Sequence, residues 1–248
     1  MKKDFYEGRK DWNFDDFEID AERLTDWDLY EILKSIATKD SKVLDLGTGG
    51  GEKLLKNFPV CAEILGTDLS KEMIQTANEN LKKSGRDDVK FKVMDNLVMD
   101  VLDDYFDIVV ARHTIIDAKK IYKVLKKGGY LLIQGVDKYD CWALKHLLKT
   151  GQAYNDLVPI SIVDYEAILD AGFKDVELIP IHEVEYYKDS TTFKEFLKIV
   201  PIVYDFSEFS NECDYKVNED LLDEYINQNS YDGKVKLLRR YYGIVAKK

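Results

Sequence analysis

The sequence predicts an α/β protein built on a doubly wound, mostly parallel sheet. Short apolar runs suited to buried strands alternate with segments of helical periodicity, and the first run, residues 42–46, leads into a glycine-rich turn. Strands that alternate with helices at this spacing form βαβ units, whose right-handed crossovers place helices on both faces of the sheet. With 248 residues, 45% of them hydrophobic, the chain is long enough for one domain with a large core.

The first half of the chain has the clearest pattern. Helical periodicity predicts a helix over residues 20–37, one over 52–58, one that follows Ser70 as its N-cap and stops at Gly85, and one near 121–125 that ends at Gly128 and Gly129. Strands are expected at residues 42–46, 62–68, 89–93, 106–111 and 130–134.

The second half is less regular. It predicts a helix at 161–171, a strand at 175–179, two helices near 192–200 and 219–227, and a terminal strand at 241–246. We expect a single domain over 1–248, with an N-terminal arm and helix (1–38), a core over 40–136 and a helical insertion over 189–230 before the last strand. That insertion is either a cap over a substrate or structural padding.

Charge and cysteine usage exclude several classes of protein. The net charge of -11 disfavours nonspecific nucleic-acid binding, which needs a positive field. Cys61, Cys141 and Cys213 lie far apart and form neither a CxxC pair nor a zinc spacing, so we expect reduced thiols and no metal site. The N-terminus lacks a signal-peptide pattern and no apolar run is long enough to span a bilayer, which favours a cytoplasmic location away from membranes.

A carboxylate follows each of the first two strands. Asp45 precedes the glycine turn, and Asp68 ends the second strand, where it is suited to accept hydrogen bonds from the hydroxyls of a ribose. A dinucleotide fingerprint, G-x-G-x-x-G, would place glycine where this chain has Glu52. Acids at 45 and 52 repel a pyrophosphate and attract a ligand with ammonium and sulfonium cations, so the pattern favours S-adenosylmethionine over NAD.

The motif over residues 43–52, VLDLGTGGGE, resembles the first motif of class I S-adenosylmethionine-dependent methyltransferases. Four further segments resemble later motifs of that family in the same order, and together they cover residues 40–136: residues 66–70 followed by Met73, 94–96, 106–113 and 125–131. The resemblance implies a Rossmann-like sheet of seven strands with the last strand antiparallel.

The resemblance also implies which residues contact the cofactor. Asp45 and Gly47 would hold the methionine amine and carboxylate, and Asp68 the ribose. Asp95 would meet the adenine amino group; its alternative role is to cap a turn. The full set of implied cofactor-binding residues is Asp45, Gly47, Thr48, Gly49, Gly51, Asp68, Leu69, Met73, Asp95, Asn96 and Ala111.

The acceptor side is less specific. Nucleic-acid amino methyltransferases carry Asn/Asp-Pro-Pro-aromatic after the fourth strand, but residues 111–114 here are Ala-Arg-His-Thr, which disfavours that class. His113 follows the fourth strand and is the candidate catalytic base, while Arg112, Trp27 and Tyr30 are candidate substrate-binding residues. Alternatively, His113 and Arg112 orient loops or bind a substrate carboxylate.

These observations predict methyl transfer to an O, N or C nucleophile of a small molecule by a monomer or homodimer. The chain also resembles bacterial methyltransferases of undefined substrate, with domains of the type 11 and type 25 kind. An RNA or protein methyltransferase and a non-catalytic S-adenosylmethionine-binding module stay open as alternatives, because a fold of this kind supports many functions.

Overall fold

The computed structural model describes residues 17–205, 215 and 217–248. Its strands are β1 (Asp20–Arg23), β2 (Lys42–Leu46), β3 (Glu63–Asp68), β4 (Val89–Val93), β5 (Phe106–Arg112), β6 (Leu125–Val136), β7 (Lys174–Tyr187), β8 (Ser230–Tyr231) and β9 (Lys234–Lys247). Its helices are α1 (Leu29–Ile36), α2 (Glu52–Asn57), α3 (Lys71–Ser84), α4 (Ala118–Val124), α5 (Trp142–Leu148), α6 (Ile160–Ala171), α7 (Ser190–Ile199) and α8 (Glu219–Gln228). None of the helices in these described ranges is both long and apolar enough to cross a membrane.

All strands belong to one sheet of order β1-β7-β9-β6-β5-β2-β3-β4, and β8 pairs with β9. Strands β2 to β6 pair in parallel, whereas β9 runs antiparallel between β6 and β7. The predicted doubly wound fold, with its antiparallel last strand, is therefore confirmed. The seven expected strands are present, and β1 and β8 are additional. Helices α7 and α8 form the predicted insertion before β9.

The predicted helix over residues 20–37 is wrong in its first part. Asp20–Arg23 forms the edge strand β1, which pairs antiparallel with β7. The helix begins only at Leu29, because the Asp28 carboxylate accepts the amide protons of Tyr30, at 2.8 Å, and Glu31, at 3.0 Å. An N-cap of this kind satisfies amides that the first helical turn leaves free.

Other elements also differ from the prediction: β6 begins at Leu125, β7 extends to Tyr187 and β9 begins at Lys234, so all three strands are longer than expected. Helix α4 ends at Val124 rather than at the glycines, because Leu125 already has extended backbone and pairs with Phe106 in the sheet. Helix α5 (Trp142–Leu148) lies in a segment with no predicted element. Elsewhere Ser70 caps α3 and Gly85 ends it in a left-handed conformation, as the sequence predicts.

Each face of the parallel sheet is covered by helices. On one face, Val43, Val110 and Leu132 form a hydrophobic cluster with Leu29 and Leu33 of α1. On the other face, the alternate residues of the same strands pack with α4 and α6. Since side chains alternate along a strand, burial on both faces explains why these strands are continuously apolar.

Strands β7 and β9 extend well past the end of β6. The last pair between β6 and β9 is Val136 with Tyr241, but β9 continues to pair with β7 as far as Val235 with Tyr187. We call residues 182–187 and 235–240 the projecting ribbon. Its outer edge is covered by β1, and α5, α7 and α8 share a second hydrophobic cluster with its buried face. The insertion helices therefore pack on this ribbon.

A buried ion network connects the projecting ribbon to the segment after β6. The Arg239 guanidinium donates two hydrogen bonds to Asp140, at 3.0 and 2.9 Å, and two to Glu185, at 3.0 and 3.1 Å. The Tyr187 hydroxyl donates to Glu185 at 2.6 Å, and the Arg240 amide donates to Asp140 at 2.8 Å. All of the guanidinium nitrogens are thereby bonded, as a buried cation requires.

We expect Arg239→Ala to destabilise the protein by about 3–5 kcal/mol, because it leaves the Asp140 and Glu185 carboxylates buried without a counter-ion. Urea unfolding followed by circular dichroism measures the effect. Lys234→Ala is the matched control, since it removes a cation from the same strand whose partner, Asp20, is exposed. Equal effects of the two substitutions would contradict this account of the network.

Candidate functional site

The strand order reverses between β2 and β5. After β4, at one edge of the sheet, the chain crosses to the far side of β2 to form β5. Leu46, the last residue of β2, pairs with Thr67 of β3 on one side and with Ala111 of β5 on the other. A change of strand order opens a crevice beyond the carboxyl ends of the strands, where open α/β sheets bind their ligands.

The turn after β2 depends on glycine for two reasons. Gly47, Gly49 and Gly51 all have positive φ, of 72°, 58° and 79°, a region that glycine adopts without strain. In addition, a Cβ on Gly47 would lie 2.7 Å from Cβ of Thr114, so the loop after β5 packs directly on this turn. The structure therefore adds a packing reason to the conformational one.

Asp68 connects the turn after β2 to the start of α3. Its carboxylate accepts the Gly49 amide at 3.0 Å and the Ser70 amide at 2.9 Å. A carboxylate has further lone pairs, so Asp68 is still able to accept ligand hydroxyls. Leu69 beside it is 49% exposed and offers an apolar surface to a ligand. Met73 is buried and donates its amide to the Ser70 hydroxyl at 3.1 Å.

Asp45 is a buried carboxylate whose desolvation is only partly offset by its neighbours. It is 7% exposed, and among the described residues its side chain accepts no hydrogen bond of ordinary geometry. Burial raises its pKa from 3.8 to about 7, and Asp68 raises the pKa further, although the nearby Thr48 hydroxyl and Arg112 oppose the shift. The Thr48 hydroxyl is itself buried with no hydrogen-bond partner among those residues. Both groups are therefore available to a ligand.

The loops after β4 and β5 are held together by Asn96. Its amide donates to the Thr114 hydroxyl at 2.9 Å and to the Ile115 carbonyl at 3.2 Å. The Asp95 carboxylate accepts the Leu97 amide at 2.8 Å, which is the turn-capping alternative for this residue; among the described residues no second bond to it is found. Asn96 thus has a structural role that the sequence did not predict.

Residues 111–113, at the end of β5, lie at the crevice. Ala111 is 1% exposed and pairs with Leu46, so it lies in the floor between β2 and β5. Arg112 is partly buried, and His113 has a left-handed backbone with φ of 52°; the residue as a whole reaches solvent, while its ring packs against Tyr241. Desolvation by the surrounding protein, together with Arg112 and Arg239, holds the His113 pKa well below its usual value. His113 is therefore neutral at pH 7.

The two aromatic candidates lie on the α1 side of the sheet. Burial raises the Tyr30 pKa, with Arg112 lowering it and Asp45 raising it, so the Tyr30 ring lies within electrostatic reach of both charges. Trp27 packs against Gly243, where a Cβ would lie 2.7 Å from the indole. Its indole nitrogen is buried and has no hydrogen-bond partner within the described part of the chain.

Strands β7 and β9 contribute residues that sequence reasoning missed. The Tyr241 ring lies edge-on to His113, with 5.6 Å between centroids, and Arg239 lies over the same ring at 5.0 Å. Glu183 pairs with Arg239 across the two strands. A signal was available, because Arg239 and Glu183 occupy inward positions of alternating strands, where a charge is unusual.

The residues present fit S-adenosylmethionine. Asp45 and the orphaned Thr48 hydroxyl suit an ammonium group, and the spare lone pairs of Asp68 suit ribose hydroxyls. The exposed Leu69 suits the adenine face. In the described ranges, no three His, Cys, Asp or Glu side chains are grouped so that they could hold a metal ion.

The comparisons with known proteins agree with this fit. A family model described as a methyltransferase domain matches residues 37–194, more than half of the chain. The uncharacterized methyltransferase YcgJ of Bacillus subtilis is 33% identical over 107 residues, which cover 40% of this chain and 42% of that relative. The chain therefore matches well under two thirds of this relative's length.

Solved structures share the fold over most of the chain. The YcgJ protein of Bacillus subtilis matches with a TM-score of 0.53 and 18% identity, covering 89% of this chain and 97% of that one. Phosphoethanolamine N-methyltransferase 2 of Haemonchus contortus, in complex with S-adenosyl-L-methionine, matches with a TM-score of 0.53 and 20% identity. The match covers 90% of this chain and 52% of that one. Because the family model matches more than half of its length, the chain belongs to the methyltransferase domain family.

Proposed function

We propose that this protein transfers the methyl group of S-adenosylmethionine to an O, N or C nucleophile of a small molecule. The observation that carries the proposal is the only partly compensated Asp45 carboxylate at the crevice, with Asp68 one strand away. The acidic whole-chain charge and the Ala-Arg-His-Thr sequence at 111–114 favour a small acceptor over a nucleic acid.

When bound, S-adenosylmethionine would supply a methyl group activated by its sulfonium, and the acceptor would displace the sulfur from that methyl carbon directly. The protein's task is then to align donor and acceptor, and alignment alone can supply most of the acceleration. Asp45 and Asp68 would hold the two ends of the donor, and Ala111 would form the floor between them. His113 is neutral at pH 7, so its free ring nitrogen can take a proton from an acceptor hydroxyl or amine.

Further features complete the proposal. Helices α7 and α8, in the insertion over 189–230, pack on the projecting ribbon and act as a cap on the acceptor side. A cytoplasmic location fits the buried free thiols of Cys61 and Cys141. Cys213 and the N-terminal arm as far as residue 16 lie outside the described residues. We propose a monomer or homodimer that functions as one domain.

The central test is whether the protein binds S-adenosylmethionine and turns it over. We expect calorimetry to detect binding, and Asp68→Ala to weaken it by about 1–3 kcal/mol through lost hydrogen bonds. Asp87→Ala, at an exposed carboxylate, is the matched control. Turnover to S-adenosylhomocysteine over a panel of small metabolites tests catalysis. The absence of binding would overturn the proposal, and binding without any turnover would favour a non-catalytic module.

A second prediction follows from the raised pKa of Asp45. A carboxyl whose pKa is higher in the folded state stabilises the fold only while protonated, so its contribution is lost as the pH rises towards about 7. A rise from 3.8 to about 7 corresponds to about 4 kcal/mol at most. We therefore expect Asp45→Asn to raise the stability of the ligand-free protein at pH 8, with the gain vanishing near pH 4.

The same substitution should weaken ligand binding. The ionised Asp45 attracts the ammonium of S-adenosylmethionine, so wild-type affinity should increase from pH 5.5 to 7.5, whereas the affinity of Asp45→Asn should be lower and nearly constant with pH. Thermal unfolding and calorimetry at several pH values measure both effects. A variant that is less stable than wild type at pH 8 would show that Asp45 has a structural partner instead.

A third prediction concerns His113 as the proton acceptor. Asparagine tolerates the left-handed backbone of this position, so His113→Asn removes the base without adding strain. We expect kcat with an accepted substrate to fall by about 10- to 100-fold, while the affinity for S-adenosylmethionine is unchanged. His146→Asn, at an exposed histidine, is the control. An unchanged kcat would remove His113 from the chemistry.

A further inference from the structure

Arg112 and Glu183 carry opposite charges near the crevice, and neither side chain forms an ion pair or a hydrogen bond within the described part of the chain, although Arg112 is close enough to lower the pKa of Glu183. Arg112, at the end of β5, is partly buried and forms neither a hydrogen bond nor an ion pair through its guanidinium there. Glu183, on the projecting ribbon, is also partly buried and equally unpaired within the same residues. Partly buried charges normally find partners, because desolvation is costly.

The first charge lies on the α1 face of the sheet. Asp45 pairs with Val110, and Arg112 follows two residues later, so the side chains of Asp45 and Arg112 leave the sheet on the same side. Arg112 pairs with Gln134, which in turn pairs with Gly243 of β9. The face of the sheet that carries Asp45 therefore continues across β5 and β6 to β9.

The second charge lies on that same face. Tyr241 is two residues before Gly243 in β9, and Arg239 is two residues before Tyr241, so all three share the face. Glu183 lies directly opposite Arg239 in the register of β7 and β9, so its side chain is on the same face. Arg112 and Glu183 therefore stand at two ends of one surface, with His113 and Tyr241 packed together between them.

The neighbouring charges do not neutralise Glu183. Arg239 already donates four hydrogen bonds to Asp140 and Glu185, and among the described residues it donates none to Glu183. Burial, and next the Glu185 carboxylate, raise the Glu183 pKa, while Arg239, Arg23 and Arg112 lower it. Arg23 is itself bonded to Asp28. A ligand with a cation at one end and an anion at the other would compensate Glu183 and Arg112 together.

We propose that the methyl acceptor is a small dipolar molecule whose acid group binds Arg112 and whose ammonium group binds Glu183. The guanidinium is a planar fork of donors that matches a carboxylate or phosphate, and the Glu183 carboxylate accepts the protons of an ammonium group. The inference deepens the proposed function and rests on it. It names the acceptor class for the same crevice.

The test uses the full chain saturated with S-adenosylhomocysteine, whose binding is measured first by calorimetry. The probes are ω-amino acids from glycine to 6-aminohexanoate, each compared with the n-alkylamine and the alkanoate of equal length. Because Arg112 and Glu183 are fixed on strands, affinity should peak at one chain length. At that length, the amino acid should bind at least about tenfold more tightly than either matched compound.

Charge-removal variants assign each end of the probe. In Arg112→Gln, the amino acid should bind no more tightly than the n-alkylamine of equal length. In Glu183→Gln, it should bind no more tightly than the alkanoate of equal length. The control variants Lys127→Gln and Glu22→Gln, at exposed charges, should change neither difference in affinity. Equal affinity for amino acids and their matched compounds, no binding at any length, or variants that behave like wild type would overturn the inference. Failure of S-adenosylhomocysteine to bind in the first step would instead overturn the proposed function.

Discussion

The change of strand order between β2 and β5 is the constraint on which the rest of the molecule depends. It brings Asp45, Asp68 and Arg112 from three different strands to one edge of the sheet, although up to 67 positions separate them in the chain numbering. Gly47 allows the loop after β5 to rest on the turn after β2, and Asn96 fastens that loop to the end of β4. Without this reversal the same residues would not share a crevice.

Charged side chains that stabilise the fold differ from those at the crevice in whether they have a bonding partner. The described charges that are buried away from the crevice have partners: Arg239 bonds Asp140 and Glu185, Asp164 accepts from Tyr242, and Lys145 donates to a carbonyl. Asp45, which is buried, and Arg112 and Glu183, which are partly buried, form no ion pair among the described residues, and all three lie on one face of the sheet. An unpaired charge lowers stability, so its presence at a binding crevice is a reason to look for a charged ligand there.

How much the sequence predicted depends on how local each contact is. The turn after β2, the Ser70 cap and the strands over 42–46 and 89–93 were predictable because each depends on a few neighbouring residues. The helix predicted over 20–37 failed because its apolar spacing did not reveal the pairing of 20–23 with β7, 160 positions later. The cofactor class was confirmed, whereas the individual site residues stay predictions.

The acceptor side was less predictable for a geometric reason. Glu183 and Arg239 lie opposite each other only because β7 and β9 pair in one register, and a shift of either strand by a single residue would turn its charged side chain to the opposite face. The alternation of buried apolar residues in β9 sets which face is buried, and the bonds from Arg239 to Asp140 and Glu185 add to the stability of this register. The buried network therefore does more than stabilise the ribbon. It stabilises the register in which Glu183 shares a face with Arg239, and so it connects the stability of the ribbon to the charge that, on our proposal, an acceptor meets.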